Sequence, residues 1–282
     1  VIAADGSVAT QSQEGDAEGL GDGVVAAYGP QRVGGAAGAA SDDTRPHLLF
    51  DDTELMPLAD WLPDSPRRGG VAATLNALLP DDVRCLDTPT REGHVFTQRG
   101  LPLPLAALSD GVQSFVAWVG DLLRRLDLAA DDRNVDLAEV DGVVLVDEVD
   151  QRLHPRWLRS LLTRLGSTFP SLQFVCTAHS PLFLSGLRRQ NLLLVEPDPE
   201  RREEGATVVR RLAVEDVYGC TADQVLQSSY FEMDSSRSEP FWENLRALAR
   251  DAQTGSGGRA AALEFMHQLA RPAEPSDRDG AT

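Results

Sequence analysis

Asp147 and Glu148 are adjacent carboxylates that follow four apolar residues, Val143 to Val146. Phosphate chemistry has a use for such a pair. One acid can hold Mg²⁺, which prefers carboxylate and water oxygens. The next can orient or deprotonate the water that attacks a γ-phosphate. The same pattern fits a strand that ends in two solvated acids, and the pair alone does not separate the two. Two other segments carry groups of interest. His179 follows the apolar run 172–177, within Thr177-Ala-His-Ser-Pro181; it suits a phosphate contact or an ordinary loop position. Ser109-Asp-Gly111 opens a long amphipathic stretch. A hydroxyl, free backbone N–H groups and a glycine at a helix N-terminus make an anion site, and equally an ordinary cap.

These groups need elements to position them. Val143–Val146 and 172–177 read as buried parallel strands, continuous in apolar character. Acids at a strand's C-terminal end lie where open α/β sheets place their ligands. Between the strands, Pro155 suits a first helical turn. Leu158, Leu161, Leu162 and Leu165 give that helix one apolar face, and Gly166 is expected as its C′ stop. Strand, helix and strand form a βαβ unit, with 32 residues from Asp147 to His179. Val112, Phe115, Val116, Val119, Leu122, Leu123 and Leu126 keep helical spacing after Ser109. Upstream, 23–28 reads as a short strand leading into Gly29-Pro-Gln-Arg32. A helix over 71–79 stops at Pro80, with short strands near 83–87 and 93–98. Downstream, 131–141 is an acidic loop and 192–196 and 206–212 a pair of strands. Residues 215–250 are mainly helical or irregular, with Tyr230, Phe231, Phe241 and Trp242 as anchors, and a short helix lies near 259–270.

The chain of 282 residues carries 44 acidic and 26 basic residues, a net charge of −18. That argues against a surface that coats nucleic acid non-specifically. Paired arginines at 67–68, 124–125, 188–189, 201–202 and 210–211 leave room for a local basic patch. Cys85, Cys176 and Cys220 are too few and too scattered for a disulfide framework or a metal site. No apolar run approaches the ~18 residues of a membrane span, and the start has no signal-peptide pattern. A cytoplasmic protein without a membrane partner is expected.

Taken together the segments resemble a family, the soluble, SMC-like branch of ABC-type ATPases, bacterial AAA-family ATP-binding proteins. Leu108-Ser-Asp-Gly-Val-Gln-Ser114 resembles the ABC signature, 38 residues ahead of Asp147. Val143–Glu148 resembles Walker B with its catalytic glutamate. Asp150 to Pro155 resembles the D-loop region with the Leu-His-Pro of this branch, and Thr177–Pro181 the switch-histidine loop. Tyr28–Arg32 and Thr221–Leu226 are similar more weakly. The resemblance covers about residues 20–235 and implies an α/β, P-loop NTPase-like sheet with flanking helices. It implies ATP and Mg²⁺ as cofactors. Asp147 would hold Mg²⁺ through water, Glu148 would polarise the attacking water and His179 would contact the γ-phosphate. Ser109 and Gly111 would bind ATP held by an opposing subunit, so a homodimer or paired head is implied. Gln113, Asp150 and Arg32 would complete the nucleotide site, Asp150 near the subunit boundary, with His154 either there or structural. Asp110 departs from the usual glycine, so its carboxylate should turn away from phosphate.

The largest departure is that no GxxxxGK[ST] occurs, and all 26 basic residues are arginine. The family's P-loop supplies the cradle and lysine for the β/γ-phosphates. With Val1 in place of Met, this leads to the expectation of an N-terminally truncated head, without its P-loop segment, over 1–217. A helical extension over 218–270 and a disordered tail over 271–282 would follow. The expected function is ATP binding and hydrolysis by a soluble head in DNA repair or phage defence. An effector protein partner, and DNA bound through a local patch or a partner, go with it. The alternative is a non-catalytic subunit that completes a partner's ATP site through the helix at Ser109.

Overall fold

The computed structural model describes residues 23–30, 55–91, 95–198, 201, 206–212, 216–254 and 258–270. They form two compact units, divided between Ala222 and Asp223. In chain order the first contains strand β1 (Val24–Tyr28), helices α1 (Leu58–Trp61) and α2 (Arg68–Leu78), and strands β2 (Val83–Cys85), β3 (Phe96–Gln98) and β4 (Leu101–Leu103). The long helix α3 (Asp110–Arg133) follows, then strand β5 (Gly142–Val146), helix α4 (Pro155–Thr168), strand β6 (Leu172–Cys176), helix α5 (Pro181–Leu184) and strands β7 (Leu194–Pro197) and β8 (Thr207–Arg210). Helix α6 (Ala222–Leu226) crosses the division. In the second unit α7 (Glu239–Thr254) and α8 (Gly258–Ala270) pack on each other, with Leu245 buried and Arg246 stacked over Trp242. No helix among the described residues is long and apolar enough to cross a membrane.

The main sheet is parallel, in the order β1-β5-β6. Tyr28 is in register with Val146, and Val146 with Cys176, so the three strands release their chains at one level. Helix α3 lies against this sheet with Phe115, Val116, Trp118, Val119, Leu122, Leu123 and Leu126 buried. Its anchor to β1 is polar. The buried Tyr28 hydroxyl donates to Asp121 Oδ2 at 2.9 Å, and Arg125 Nε donates to the same oxygen at 2.7 Å. Burial, then the Asp121 charge, pushes the Tyr28 pKa well up, so this hydroxyl stays a donor. Burial disfavours the Arg125 charge, but Asp121 and Tyr28 together outweigh it and hold Arg125 protonated. Helix α2 is tied to α4, where Trp157 Nε1 and Arg164 donate to the otherwise unpaired Leu78 and Leu79 carbonyls at the end of α2.

Several elements depart from the sequence expectation. Strand β5 is not buried on both faces: Val144 and Val146 are buried, Val143 and Leu145 only half so. Strand β6 is the edge of the described sheet, and alternate residues face outward, with Val175 42% exposed. Gly166 does not stop α4, which continues to Thr168; Gly166 is an exposed residue of its last turn. Helix α3 runs into the expected acidic loop and ends at Asn134, held in the left-handed region at φ 54°. Strand β4 was not among the expected strands, and it contains Pro102. A proline fits there because β4 is an edge strand. The Arg99-Gly100 turn, with φ 51° and 82°, closes its hairpin with β3.

Cys85 ends β2 with its thiol buried, and its backbone is clasped by Asn76 through two hydrogen bonds of 2.8 and 2.9 Å. Burial, then the charge of Asp87, pushes the thiol pKa from 9.0 to about 12. A folded-state pKa above the unfolded value contributes stability that is complete below pH 9 and is lost as pH rises toward 12. The slope reaches about 1.4 kcal/mol per pH unit. Cys85→Ala is therefore expected to flatten the fall of unfolding free energy above pH 9, measured by urea denaturation. Parallel curves for wild type and variant would refute this.

Candidate active site

The site lies where β1, β5 and β6 end. Their shared level puts Asp147 one step past Val146 and Thr177 one step past Cys176, so these two residues face each other. Asp147 N donates to the Tyr28 carbonyl at 2.8 Å, Thr177 N to the Val146 carbonyl at 3.0 Å, and Val149 N to the Thr177 carbonyl at 3.0 Å. The Thr177 hydroxyl joins the two acids: its Oγ1 donates to Asp147 Oδ1 and accepts from Glu148 N, the latter at 2.7 Å. Glu148 occupies the left-handed region at φ 45°. Its Oε2 accepts from Gln151 Nε2 at 3.1 Å.

The His179 loop is held by an acid from the same turn. Asp150 Oδ2 accepts from His179 N at 3.0 Å and from Ser180 N at 2.7 Å. The His179 residue itself is exposed. Thus Asp147, Glu148, Asp150 and His179 form one hydrogen-bonded cluster at the strand ends. His154 is the N-cap of α4, with Nδ1 accepting from Arg156 N at 3.2 Å, so it serves a structural role.

Ser109 is the N-cap of α3, exposed and making no side-chain cap bond. The helix begins there, so the N–H groups of Asp110, Gly111 and Val112 have no helical partner. Gln113 turns its side chain back, donating from Nε2 to the Leu108 carbonyl at 2.7 Å and the Ala106 carbonyl at 3.3 Å. It shapes the approach to α3 rather than extending outward. Gly111 is buried against the turn after β5. A Cβ there would overlap the Arg152 carbonyl oxygen and lie 3.0 Å from its carbonyl carbon. The close approach of Gly111 to Arg152 therefore joins the start of α3 to the Asp147–Leu153 turn. Arg32 lies outside the described residues.

The donor set is suited to Mg²⁺ that arrives with a phosphate ligand. That ion keeps several waters and takes one or two carboxylates together with substrate oxygens. Asp147 could provide such a carboxylate, with Glu148 beside it for the water, and among the described residues no cluster of three acids, histidines or cysteines forms a separate metal cage. A nucleotide's β-phosphate cradle is not recognisable in the 282 residues, which contain neither GxxxxGK[ST] nor lysine. Thr177 is the residue that sequence reasoning passed over. Pairing the end of β5 with the end of β6 would have found it, since register alone sets it opposite Asp147.

The chain is similar to proteins named as probable ATPases. The chain is 32% identical over 115 residues to the Retron Vc95 probable ATPase of Vibrio cholerae serotype O1 biovar El Tor, covering 41% of this chain and 22% of that protein. It is 33% identical over 102 residues to the Retron Ec83 probable ATPase of Escherichia coli, covering 36% and 19%. It is 34% identical over 127 residues to Septu protein PtuA of Bacillus mycoides strain KBAB4, covering 45% and 16%. The matched stretch thus spans 16 to 22% of these relatives' own length. The family described as "AAA domain, putative AbiEii toxin, Type IV TA system" matches residues 27–185, from β1 through the His179 loop and α5. That is more than half of the chain, and the chain belongs to this AAA-domain family.

Proposed function

We propose that the chain carries the metal- and water-handling part of an ATP-hydrolysing head of the SMC-like ABC branch, working as a pair of heads in defence against phage. The observation that carries this reading is the cluster at the strand ends, where Thr177 and Asp150 tie Asp147, Glu148 and the His179 loop into one unit. Bound Mg·ATP would supply a reactive γ-phosphate and a cation that neutralises charge on its oxygens. Asp147 would hold that cation through water. Glu148 accepts a proton from the attacking water or aligns it. His179, its backbone held by Asp150, would meet the γ-phosphate. Asp150 Oδ2 is already engaged by two amides, so a contact across a head pair falls to its other oxygen.

In this reading the phosphate cradle is supplied by residues other than the described ones. The outer edge of β6 supports that assignment. It has no partner strand among the described residues, and Val175 stands exposed on it. A further parallel strand added there would end beside Thr177 and His179. The start of α3 serves the opposing head: Ser109 and the free N–H groups behind it offer donors to a γ-phosphate. The retron and Septu relatives support the ATPase family and the field of action, and an effector protein partner goes with this reading.

The test is phosphate release by the intact protein and its Ser109→Arg variant. Turnover is expected in the wild type and is expected to vanish in Ser109→Arg, while nucleotide affinity of the single head is unchanged. A wild type without turnover would overturn the ATPase reading. An unchanged rate in the variant would overturn the shared site.

A further inference from the structure

Between Asp150 and Glu196 the chain contains no Asp or Glu, although acids number 44 of 282 residues overall. The same stretch contains Arg152, Arg156, Arg159, Arg164, Arg188 and Arg189. A protein of net charge −18 thus carries one wholly basic segment, and the fold gathers it. Arg164 is used internally, on the Leu79 carbonyl and Asp81. The others are exposed. Arg152, Arg156 and Arg159 follow one another along the turn before α4 and its outer face, and their guanidinium groups have no partner among the described residues. Gly186 sits against the Arg159 backbone, 3.8 Å from its carbonyl oxygen to a Cβ position. The chain then continues directly to Arg188. Gly219 N donates to the Ser185 carbonyl at 2.9 Å, which brings the 217–220 turn to the same place. There the Arg188 guanidinium carbon stacks 4.4 Å from the centroid of the Tyr218 ring, and Tyr218 remains 52% exposed. Asp216 borders the strip with its carboxylate accepting the Tyr218 N–H.

We infer that this strip, Arg152, Arg156, Arg159 and Arg188 with Tyr218, binds single-stranded nucleic acid. Arginines without carboxylate partners leave their charge available to backbone phosphates, and release of the strand's counterions drives such binding. Planar guanidinium groups match phosphate oxygens in pairs. An exposed tyrosine among them gives a base a ring to stack on, the combination by which single strands are held without sequence readout. Acidic surface elsewhere repels the same strand and confines it to this face. The alternative occupant, the acidic surface of a second copy, would use charge but has no need of the exposed ring.

Fluorescence anisotropy with a labelled 20-nucleotide oligo(dT), in the absence of ATP and Mg²⁺, tests the strip independently of hydrolysis. Binding by the intact protein is expected. Arg156→Glu/Arg159→Glu/Arg188→Glu should weaken it at least ~10-fold, and should make log K against log salt shallower by about 0.7 for each phosphate that is no longer neutralised. The neutral Arg156→Gln/Arg159→Gln/Arg188→Gln variant, which adds no new charge to the surface, should weaken it in the same direction and serves if the reversal perturbs folding. Tyr218→Ala should also weaken binding, and Arg84→Glu, on the separate β2-β3-β4 sheet, should leave it unchanged. The inference is overturned if the wild type does not bind, or if the arginine variants retain affinity and salt slope. It is equally overturned if a duplex binds as tightly as the single strand, or if the variants change only the sedimentation mass of the protein.

Discussion

Glu148→Gln is expected to slow ATP hydrolysis at least ~100-fold and to leave ATP binding intact, the loss that follows removal of a general base. The substitution is well controlled by its surroundings. The Glu148 amide is fixed by Thr177 Oγ1, and its side chain accepts from Gln151. A glutamine has the same shape and keeps an acceptor oxygen for Gln151. The backbone at φ 45° is uncommon for either residue, so the exchange adds no new strain. What changes is the ability to take a proton and the charge near the phosphate. Single-turnover phosphate release and a separate nucleotide-binding titration separate these effects. A rate near wild type would remove Glu148 from the reaction. A loss of binding without a loss of rate would make it an electrostatic contact to the nucleotide.

The parts of this site that were legible in the sequence are those that depend on one segment. An apolar run followed by Asp147-Glu148, another followed by His179, and a serine before a helical repeat each announce themselves locally. The described β1-β5-β6 sheet is parallel, as those runs imply, with β5 and β6 joined through α4. What escaped depends on contact between segments. Thr177 becomes important only because β5 and β6 are in register. Asp150 holds amides 29 and 30 residues away, and the Gln113 side chain is recruited by its own approach loop. The positive φ of Glu148 and Arg152 has no marker in the chain, since neither is Gly or Asn. Gly166 misled for the opposite reason. A glycine near the end of a helical pattern suggests a stop, yet Phe169 is buried beyond it and the helix runs on for two residues, to Thr168. The basic character of 151–195 was present in the sequence as the absence of acids over a long span. Looking only for paired arginines hides it.

Gly111→Ala separates the two reasons for a glycine at the start of α3. A glycine at a phosphate contact is needed only when ligand is bound. The structure supplies a reason that holds without ligand, because a Cβ there would overlap the Arg152 carbonyl oxygen. That oxygen belongs to the backbone, in a turn bound at both ends to the site, so it cannot rotate away as a side chain would. Overpacking of this kind costs typically about 1–3 kcal/mol, and here it outweighs the ~0.8–1 kcal/mol that alanine gains over glycine inside a helix. For a unit of this size, a net loss of up to about 2 kcal/mol lowers the melting temperature by up to roughly 4–8 °C. Two other glycines calibrate the measurement. A Cβ at Gly120, in the same helix, has the Leu58 side chain as its nearest neighbour, at 3.4 Å, so Gly120→Ala is expected to be close to neutral. At Gly166 nothing lies within 4 Å, and Gly166→Ala should stabilise by up to ~1 kcal/mol. The expected order of melting temperatures is Gly166→Ala above wild type, Gly120→Ala near it and Gly111→Ala well below. If Gly111→Ala melts with Gly120→Ala, the turn after β5 is not fixed against α3. A hydrolysis defect in that stable variant would then assign the glycine to phosphate. If it melts early as expected, the start of α3 and the Asp147–Leu153 turn move as one body, and a ligand at Ser109 is coupled to Glu148 through Arg152.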